Sequence, residues 1–271
     1  MSSRTELFQP HITPVAERLQ DKVALITGGA NGIGKAIAIR FAKEGANVAI
    51  TDKDATAGAK TADELRAFGR KALSAPADVA DRAAIDEMVQ RVLHDFGHID
   101  ILVNNAGIII FGSLMNCRLE DWNRMLAVDL TGSFHCTQIV GQHMVKRGSG
   151  GRMIHVGSTA SLFPTAEQGA YCVAKAGLRM ISMMAAMELA PHGITSNLLC
   201  PQGAVTDINR ELLSDPAIMA KLEGNIPAGR MAKTEEIAAA AAFLASDEAA
   251  YITGTELVHD GGVSISSLWW R

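Results

Sequence analysis

The sequence predicts an α/β protein with a doubly wound, seven-stranded parallel sheet and helices on both faces. Three observations favour this fold. Short apolar segments typical of strands alternate with longer segments of helical spacing. The turn after the first such strand is rich in glycine, and no linker or shift in composition divides the chain. We therefore expect a single domain with right-handed crossovers between its parallel strands.

Each predicted strand is short and apolar, and each predicted helix shows a period near 3.6 residues. Because parallel strands need a crossover connection, the helices between them should cover the two faces of the sheet. The predicted strands are KVALITG (22–28), NVAITD (47–52), KALSAPADV (71–79), IDILVNNAG (99–107), RMIHVGS (152–158), TSNLLCP (195–201) and TELVHDGG (255–262), and the predicted helices are 33–44, 56–68, 81–96, about 120–147, 169–191 and 234–246.

Composition argues against several classes of function. The 271 residues carry a formal net charge of −4 with scattered basic residues, so nucleic acid is not an expected partner. No apolar run is long enough to span a bilayer, and residues 1–20 lack a signal-peptide pattern. We expect a cytoplasmic protein without membrane contact. The extension 1–20 is either a frayed tail or a segment used in subunit contacts.

The four cysteines are Cys117, Cys136, Cys172 and Cys200, and none of them forms a CxxC pair. No histidine cluster shows the spacing of metal ligands, so no catalytic metal is expected. Their apolar neighbours predict small core residues in a reducing compartment rather than nucleophiles.

The glycine-rich stretch TGGANGIG (27–34) lies between the first strand and the first helix. A pyrophosphate can approach the free N–H groups of a helix N-terminus only where the loop carries no obstructing side chains. Gly28, Gly32 and Gly34 meet this need, and Asn31 and Ile33 lie between them. The alternative is a tight strand–helix turn that binds no ligand.

The second strand ends at Asp52, 18 residues after Gly34. A carboxylate there accepts hydrogen bonds from the ribose hydroxyls of an adenosine and repels a 2′-phosphate, so we predict NAD rather than NADP. Lys35 and Lys53 lie close by and could attract a phosphate instead. Asp78 and Val79, after the third strand, are placed to contact the adenine. The alternative role for Asp52 is a helix cap or turn residue.

Four motifs follow one another at familiar distances: TGGANGIG, NNAG (104–107), Ser158 and YCVAK (171–175). Together they resemble the short-chain dehydrogenase/reductase superfamily over about residues 20–264, in its single-domain, Rossmann-type form. The resemblance implies that Asn105, Ala106 and Gly107 support the sheet and contact the cofactor ribose. It also implies that Lys175 binds the nicotinamide ribose and that Pro201 and Thr206 flank the nicotinamide.

Tyr171 and Lys175 are four residues apart on a predicted helix and so share one face. We expect the ammonium of Lys175 to lower the pKa of Tyr171, which would let the phenol exchange a proton with an alcohol or carbonyl oxygen. The hydroxyl of Ser158 would hold that oxygen. The alternative is a packed aromatic ring beside a solvated amine.

The chain departs from the family pattern at two positions. Relatives place Asn in the helix before the Ser158 strand, where it helps to hold a proton-relay water, whereas LAVDLTGSF has Asp129 there. We keep Asp129 as a relay candidate and expect Asp129→Asn to be tolerated. In CPQGAVTD (200–207), Gln202 replaces the usual glycine. Its side chain either contacts a polar substrate or fills space.

Residues 207–227 resemble the substrate lid of the family, and residues 227–262 resemble sugar and polyol dehydrogenases as well as 3-oxoacyl reductases. A sugar or polyol is our first choice of substrate, with a pocket flanked by polar side chains. The alternatives are a 3-oxoacyl thioester reductase and a non-catalytic NAD(H)-binding sensor. The predicted flanking residues are His155, Thr159, Glu167, Gln168 and Gln202.

The resemblance also implies a homotetramer, or else a homodimer, that packs through helices 120–147 and 169–191. In the tail 265–271, Trp269 and Trp270 would be costly to leave in water. We expect them to dock on a neighbouring subunit or near its pocket.

Overall fold

The structure, a computed structural model, describes residues 13–204 and 214–266 of the chain. Its strands form one parallel sheet in the order β3-β2-β1-β4-β5-β6-β7, which confirms the predicted doubly wound, seven-stranded fold. The strands are β1 Val23–Thr27, β2 Asn47–Thr51, β3 Ala72–Ser74, β4 Ile101–Asn104, β5 Gly151–Val156, β6 Ile194–Pro201 and β7 Glu256–His259. The α-helices are α1 Gly32–Lys43, α2 Ala55–Arg66, α3 Arg82–Phe96, α4 Leu119–Met125, α5 Ser133–Arg147, α6 Gly169–Leu189, α7 Pro216–Gly224 and α8 Thr234–Ala245.

Most residues of the central strands are apolar because helices cover both faces of the sheet. All five residues of β1 are buried. Ile26 packs on one face with Phe41 of α1 and Ala241 of α8. Leu25 points to the other face and packs with Val89 of α3 and Val140 of α5. None of the described helices is long and apolar enough to cross a bilayer.

The predicted helix 120–147 is helical throughout, but it is not one regular α-helix. Between α4 and α5 lies a π-helical stretch, Leu126–Gly132, which carries Asp129. Such wide turns are rare and occur often at functional sites. At its end Gly132 packs closely against the chain after β3, since a Cβ there would lie 2.8 Å from the carbonyl oxygen of Val79. Helical periodicity in the sequence does not distinguish this stretch from an α-helix.

Residues 13–21 pack on the body of their own chain. Leu19 is fully buried, and its N–H donates to the carbonyl oxygen of Glu44 at 2.8 Å. The buried carboxylate of Glu44 pairs with Arg40, lies 3.7 Å from the guanidinium of Arg18 and accepts the N–H of Val15 at 3.1 Å. A frayed tail is therefore the wrong description for these residues. A role of this extension in subunit contacts remains a prediction.

The carboxyl ends of β1 and β4 meet where the order of the strands reverses, which is where doubly wound sheets bind ligands. Thr27 ends β1, and its Oγ1 accepts the N–H groups of Asn105 and Ala106 at 3.0 Å each. The side chain of Asn105 donates in return to the carbonyl oxygens of Thr27 and Gly28, also at 3.0 Å. These hydrogen bonds fix the glycine-rich loop to the loop after β4.

Replacing Leu19 by Ala should remove a fully buried side chain and leave a cavity under the segment 13–21. We expect the free energy of unfolding, measured by urea denaturation, to fall by about 2–5 kcal/mol. Val15→Ala is the matched control, because Val15 is 43% exposed, and should change stability by less than about 0.5 kcal/mol. Equal effects of the two substitutions would show that the segment is not docked in solution.

Candidate active site

A cavity of about 890 Å³ opens at the carboxyl edge of the sheet. Its walls come from the loops after β1, β4, β5 and β6 and from α7. Most of the predicted site residues line this cavity, although they are spread over 175 positions of the sequence, from 28 to 202. The predicted residues in the lining are Gly28, Asn31, Gly32, Ile33, Asp52, Asn105, Ala106, Gly107, Asp129, Ser158, Gln168, Tyr171, Lys175, Pro201 and Gln202.

The glycine-rich loop is shaped by close backbone approach. Gly28 has φ +63°, and a Cβ on it would lie 2.8 Å from the Cα of Ala106. Gly34 lies behind the loop and does not line the cavity, because a Cβ there would lie 2.1 Å from the carbonyl oxygen of Gly28. Its role is packing rather than ligand contact. Asn31 precedes α1 without capping it through its side chain, which leaves the first N–H groups of α1 available at the cavity.

Asp52 lies at the end of the cavity beside this loop. Its two carboxylate oxygens accept the N–H groups of Ala30, at 3.2 Å, and of Asp54, at 3.1 Å. Asp52 therefore does stabilise the turn, as in the alternative role, and its side chain also lines the cavity. Lys35 is held by Glu64 at 2.7 Å, whereas Lys53 is exposed.

A smaller cavity of about 100 Å³ adjoins the Asp52 end. Asp78 and Val79 line it, as the adenine prediction requires, together with Lys53. Arg124 of α4 also lines it. The sequence analysis missed Arg124, because a lone arginine on an amphipathic helix gives no signal of its own.

The catalytic candidates lie on β5, α6 and the π-helical stretch. Lys175 is buried, and its Nζ lies 5.5 Å from the centroid of the Tyr171 ring. The same Nζ donates to the carbonyl oxygen of Val156 at 3.2 Å and lies 3.2 Å from Oδ2 of Asp129. Ser158 follows β5, and its Oγ accepts the N–H of Ala160 at 3.1 Å. The structure thus groups all four predicted catalytic residues on one side of the cavity.

Asp129 and Lys175 form a buried ion pair. Asp129 is fully buried, and its Oδ1 accepts the N–H of Ile108 at 2.8 Å. Burial raises the pKa of Asp129, and the charge of Lys175 opposes this. Burial is the largest influence on Lys175 and by itself would lower its pKa, but the negative charges of Asp129 and Tyr171 together raise that pKa. Lys175 is therefore held as an ammonium ion.

Tyr171 differs from the expectation in the direction of its pKa. Burial raises the pKa of Tyr171, and the negative charge of Asp129 raises it further. The charge of Lys175 and the hydrogen bond from Ser158 lower the pKa of Tyr171, but the combined effect of all groups is a raised pKa. For the protein groups the expectation of a lowered pKa was wrong, because it left out the burial of the phenol, which is the largest cause, and the negative charge of Asp129.

At the substrate end, Gln168 and Gln202 line the cavity, and Thr159 lies behind Gln202. The hydroxyl of Thr159 donates to Oε1 of Gln202 at 2.5 Å, so Gln202 is held by the protein and also faces the cavity. Thr159 itself does not line the cavity. Thr206, Trp269 and Trp270 lie outside the described residues.

Two of the predicted flanking residues lie elsewhere. His155 is fully buried in β5 between Asn104, at 3.2 Å, and Ser196, at 3.1 Å. Burial lowers the pKa of His155 to about 4, which keeps the ring neutral. Glu167 is exposed and is not part of the lining. Placing these two side chains at the pocket was wrong, because the His155 side chain is enclosed between β4 and β6 and Glu167 lies at the surface.

The helix α7 lies within the predicted lid and contributes residues that the sequence analysis did not name. Lys221 and Asn225 add polar groups to the lining. Apolar side chains from α7, from the segment after it and from the loop after β4 cover the rest of this end. The run GIIIFG (107–112) was the available signal for that loop. The apolar lining residues are Ile108, Ile109, Phe111, Leu222, Ile226 and Met231.

No cysteine is among the described residues that line the cavity. Burial raises the pKa of Cys136 and of Cys200 to about 12, so both are unreactive thiols. Cys117 and Cys172 are only partly buried, which corrects the expectation of four core residues. Within residues 13–204 and 214–266, no group of three or more potential ligands could hold a metal ion.

The family model described as enoyl-(acyl carrier protein) reductase matches residues 28–264. The chain belongs to the short-chain dehydrogenase/reductase superfamily. It is a nicotinamide-dependent oxidoreductase that acts on alcohol or ketone groups. The match covers every described residue in the lining of the large cavity.

Individual members of this superfamily are similar over nearly their whole length. A 2,5-dichloro-2,5-cyclohexadiene-1,4-diol dehydrogenase of Sphingobium indicum is 40% identical over 93% of this chain and 99% of its own. An L-rhamnose 1-dehydrogenase (NAD(P)(+)) of Azotobacter vinelandii is 36% identical over 92% and 98%. The crystal structure of a gluconate 5-dehydrogenase from Burkholderia cenocepacia, in complex with NADP and tartrate, superposes with a TM-score of 0.87, at 34% identity over 92% and 98%.

Gly107 leaves room for the ion pair, because a Cβ on it would lie 2.8 Å from Oδ2 of Asp129 and 3.3 Å from Nζ of Lys175. We expect Gly107→Ala to displace Lys175 and to lower kcat/KM about 100-fold in steady-state assays. Gly112→Ala is the matched control in the same loop, since a Cβ there meets nothing within 4 Å. Equal activity of the two variants would contradict the prediction.

Proposed function

We propose that this protein transfers a hydride between NAD and a secondary alcohol or ketone, with a sugar or polyol as substrate. The observation that carries the proposal is the grouping of Ser158, Tyr171 and Lys175 at one cavity. Lys175 is buried there and held by two oxygens at 3.2 Å. A packed tyrosine beside a solvated amine, the alternative considered above, does not match a buried lysine with these partners.

Two features of the cavity itself suit a dinucleotide. The uncapped N-terminus of α1 offers N–H groups, and Gly28 brings the backbone against Ala106 without a side chain. Gly32, Ile33 and Asn31 would hold the pyrophosphate, and Asp52 the adenosine ribose. Asp78 and Val79 would contact the adenine. Asn105, Ala106, Gly107 and Lys175 would face the nicotinamide ribose, with Pro201 and Thr206 beside the ring.

The protein residues supply proton transfer, and the bound nicotinamide supplies the hydride acceptor. Ser158 holds the substrate oxygen, and Tyr171 removes the hydroxyl proton as the hydride leaves the carbinol carbon. Lys175 provides positive charge beside the Tyr171 phenolate that accepts this proton. In the reverse direction Tyr171 returns the proton to the carbonyl oxygen.

NAD is proposed over NADP because of the charges at the Asp52 end. The carboxylate of Asp52 repels a 2′-phosphate, and Lys35 is occupied by Glu64 at 2.7 Å. Lys53 and Arg124 are the cations that remain at the adjoining cavity, so the preference depends mainly on Asp52.

The substrate proposal depends on the polar groups at the far end of the cavity. Gln168 and Gln202 offer donors and acceptors to hydroxyl groups, and the side chain of Phe111 suits the C–H face of a sugar ring. The similar diol and rhamnose dehydrogenases act on hydroxylated rings by name. A 3-oxoacyl thioester reductase is the second candidate, favoured by the apolar walls of the cavity.

Further features of the proposal concern the whole protein. We propose a single catalytic domain over residues 21–264 with a lid at 207–227, located in the cytoplasm. A homotetramer, or else a homodimer, is proposed through α4, α5 and α6, where Met180, Met184 and Met187 are exposed on α6. If no substrate is turned over, the alternative function is that of a non-catalytic NAD(H)-binding sensor.

A panel of sugars, polyols, secondary alcohols and hydroxyacyl thioesters tests the activity by the ultraviolet absorbance of NADH. We expect turnover of a hydroxylated substrate with NAD⁺, and a loss of kcat of about 10²–10⁴-fold in Tyr171→Phe with NADH binding retained. Tyr251→Phe is the control, because that side chain is fully exposed away from the cavity. Tight NADH binding without any turnover would support the sensor instead.

Asp52→Asn should weaken the preference for NAD⁺, since it removes the charge that repels a 2′-phosphate and keeps the size of the side chain. We expect the ratio of kcat/KM for NADP⁺ to that for NAD⁺ to rise at least about tenfold, from measurements at constant substrate. Asp54→Asn removes a charge two residues away and keeps a good cap for α2, so the ratio should stay unchanged. A preference for NADP⁺ in the unaltered protein would overturn this assignment.

A further inference from the structure

The proposed proton transfer uses the positive charge of Lys175, but the site also contains the negative charge of Asp129. An ammonium beside a tyrosine makes the phenolate easier to form. Here the ammonium of Lys175 also lies 3.2 Å from the carboxylate of Asp129, which is fully buried. A lysine paired in this way presents much less positive charge to Tyr171 than a lysine with a neutral partner, because opposite charges at this distance act as a dipole.

Several parts of the chain are arranged to keep this carboxylate in place. The N–H of Ile108 donates to Oδ1 at 2.8 Å, while Oδ2 faces Nζ. The π-helical stretch 126–132 carries the residue, and Gly107 leaves the space that it occupies. Two main-chain features and one buried lysine therefore position Asp129, which distinguishes it from a surface carboxylate that happens to lie near a lysine.

We propose that Asp129 is a positioning residue that holds Lys175 at the site and cancels much of its charge at Tyr171. Alcohol oxidation then requires a higher pH than it would with the charge of Lys175 alone. The proposal rests on the function proposed above for Tyr171. In the oxidation, the O–H proton passes to the Tyr171 phenolate while the C–H hydride passes to the nicotinamide. Asp129 takes part in neither transfer.

The other groups that face Tyr171 and Lys175 do not supply the same effect. On α6 the neighbour of Tyr171 is the thiol of Cys172, and on β5 it is the hydroxyl of Ser158. Cys200 of β6 faces Lys175 as a neutral thiol, since its pKa is raised to about 12. Among the described residues, Asp129 is thus the one carboxylate that acts on both members of the pair.

Asp129→Asn is a close test, because asparagine keeps the size of the side chain and an oxygen for the N–H of Ile108 but has no charge. The sequence contains only two tyrosines, Tyr171 and the fully exposed Tyr251. In a Tyr251→Phe background, the ultraviolet absorbance of tyrosinate therefore reports Tyr171 alone. We expect Asp129→Asn to move the midpoint of this titration to lower pH by about one unit.

The pH profile of kcat/KM for alcohol oxidation should move in the same direction. At a fixed pH on its acidic limb, Asp129→Asn should react about tenfold faster than the unaltered protein. Asp247→Asn is the matched control, because Asp247 is an exposed carboxylate paired with Arg152 far along the chain, and it should leave both curves unchanged.

An unchanged midpoint, or a midpoint moved to higher pH, would overturn the proposal. So would a loss of turnover at every pH in Asp129→Asn with its melting temperature retained, because Asp129 would then act in the transfer itself. The tyrosinate titration needs no substrate. A shifted titration without turnover on any substrate would support the charge effect and contradict the proposed function, which separates the two failures.

Discussion

The loops after β1 and β4 approach each other so closely that they exclude side chains, and the rest of the site depends on this contact. Gly28 lies against Ala106, and Asn105 donates to the carbonyl oxygens of Thr27 and Gly28 at 3.0 Å. One residue further along, Gly107 lies against the Lys175–Asp129 pair. The same five residues, Thr27, Gly28 and 105–107, therefore shape both the dinucleotide end and the proton-transfer end of the cavity.

Much of this architecture was predictable from the sequence because it depends on local pattern. Strand–helix alternation and the glycine-rich turn have periodic or compositional signals, and these predicted the sheet. Helical spacing predicts that Tyr171 and Lys175 share one face, whereas their catalytic roles came from the resemblance of the four motifs to a known family. The pocket-facing assignment of His155 failed, because strand residues alternate between faces and no local pattern shows which face meets a cavity. Its partners, Asn104 and Ser196, come from β4 and β6 and are 51 and 41 residues away in sequence.

The pKa of Tyr171 was mispredicted for a similar reason. Lys175 is a helical neighbour of Tyr171, whereas the burial of the phenol, which raises its pKa most, depends on packing that no local pattern shows. Asp129 is 42 residues before Tyr171, lies in the π-helical stretch and raises the pKa of Tyr171 further. The cost of burying two opposite charges is met here by direct pairing and by the N–H of Ile108. Lys175 would keep the carbonyl oxygen of Val156 as a partner without Asp129, whereas Asp129 without Lys175 would be an unpaired charge inside the protein.

The segment before β1 has a consequence for how this chain can change over evolution. The buried carboxylate of Glu44 has its partners both in α1, through Arg40, and in the segment, through Val15 and Arg18. A homologue that began directly at β1 would keep a buried acid with two of these three partners missing. Residue 44 and the segment 13–21 should therefore be inherited or lost together, and an alignment of relatives should show an acidic residue at this position only where the extension is present.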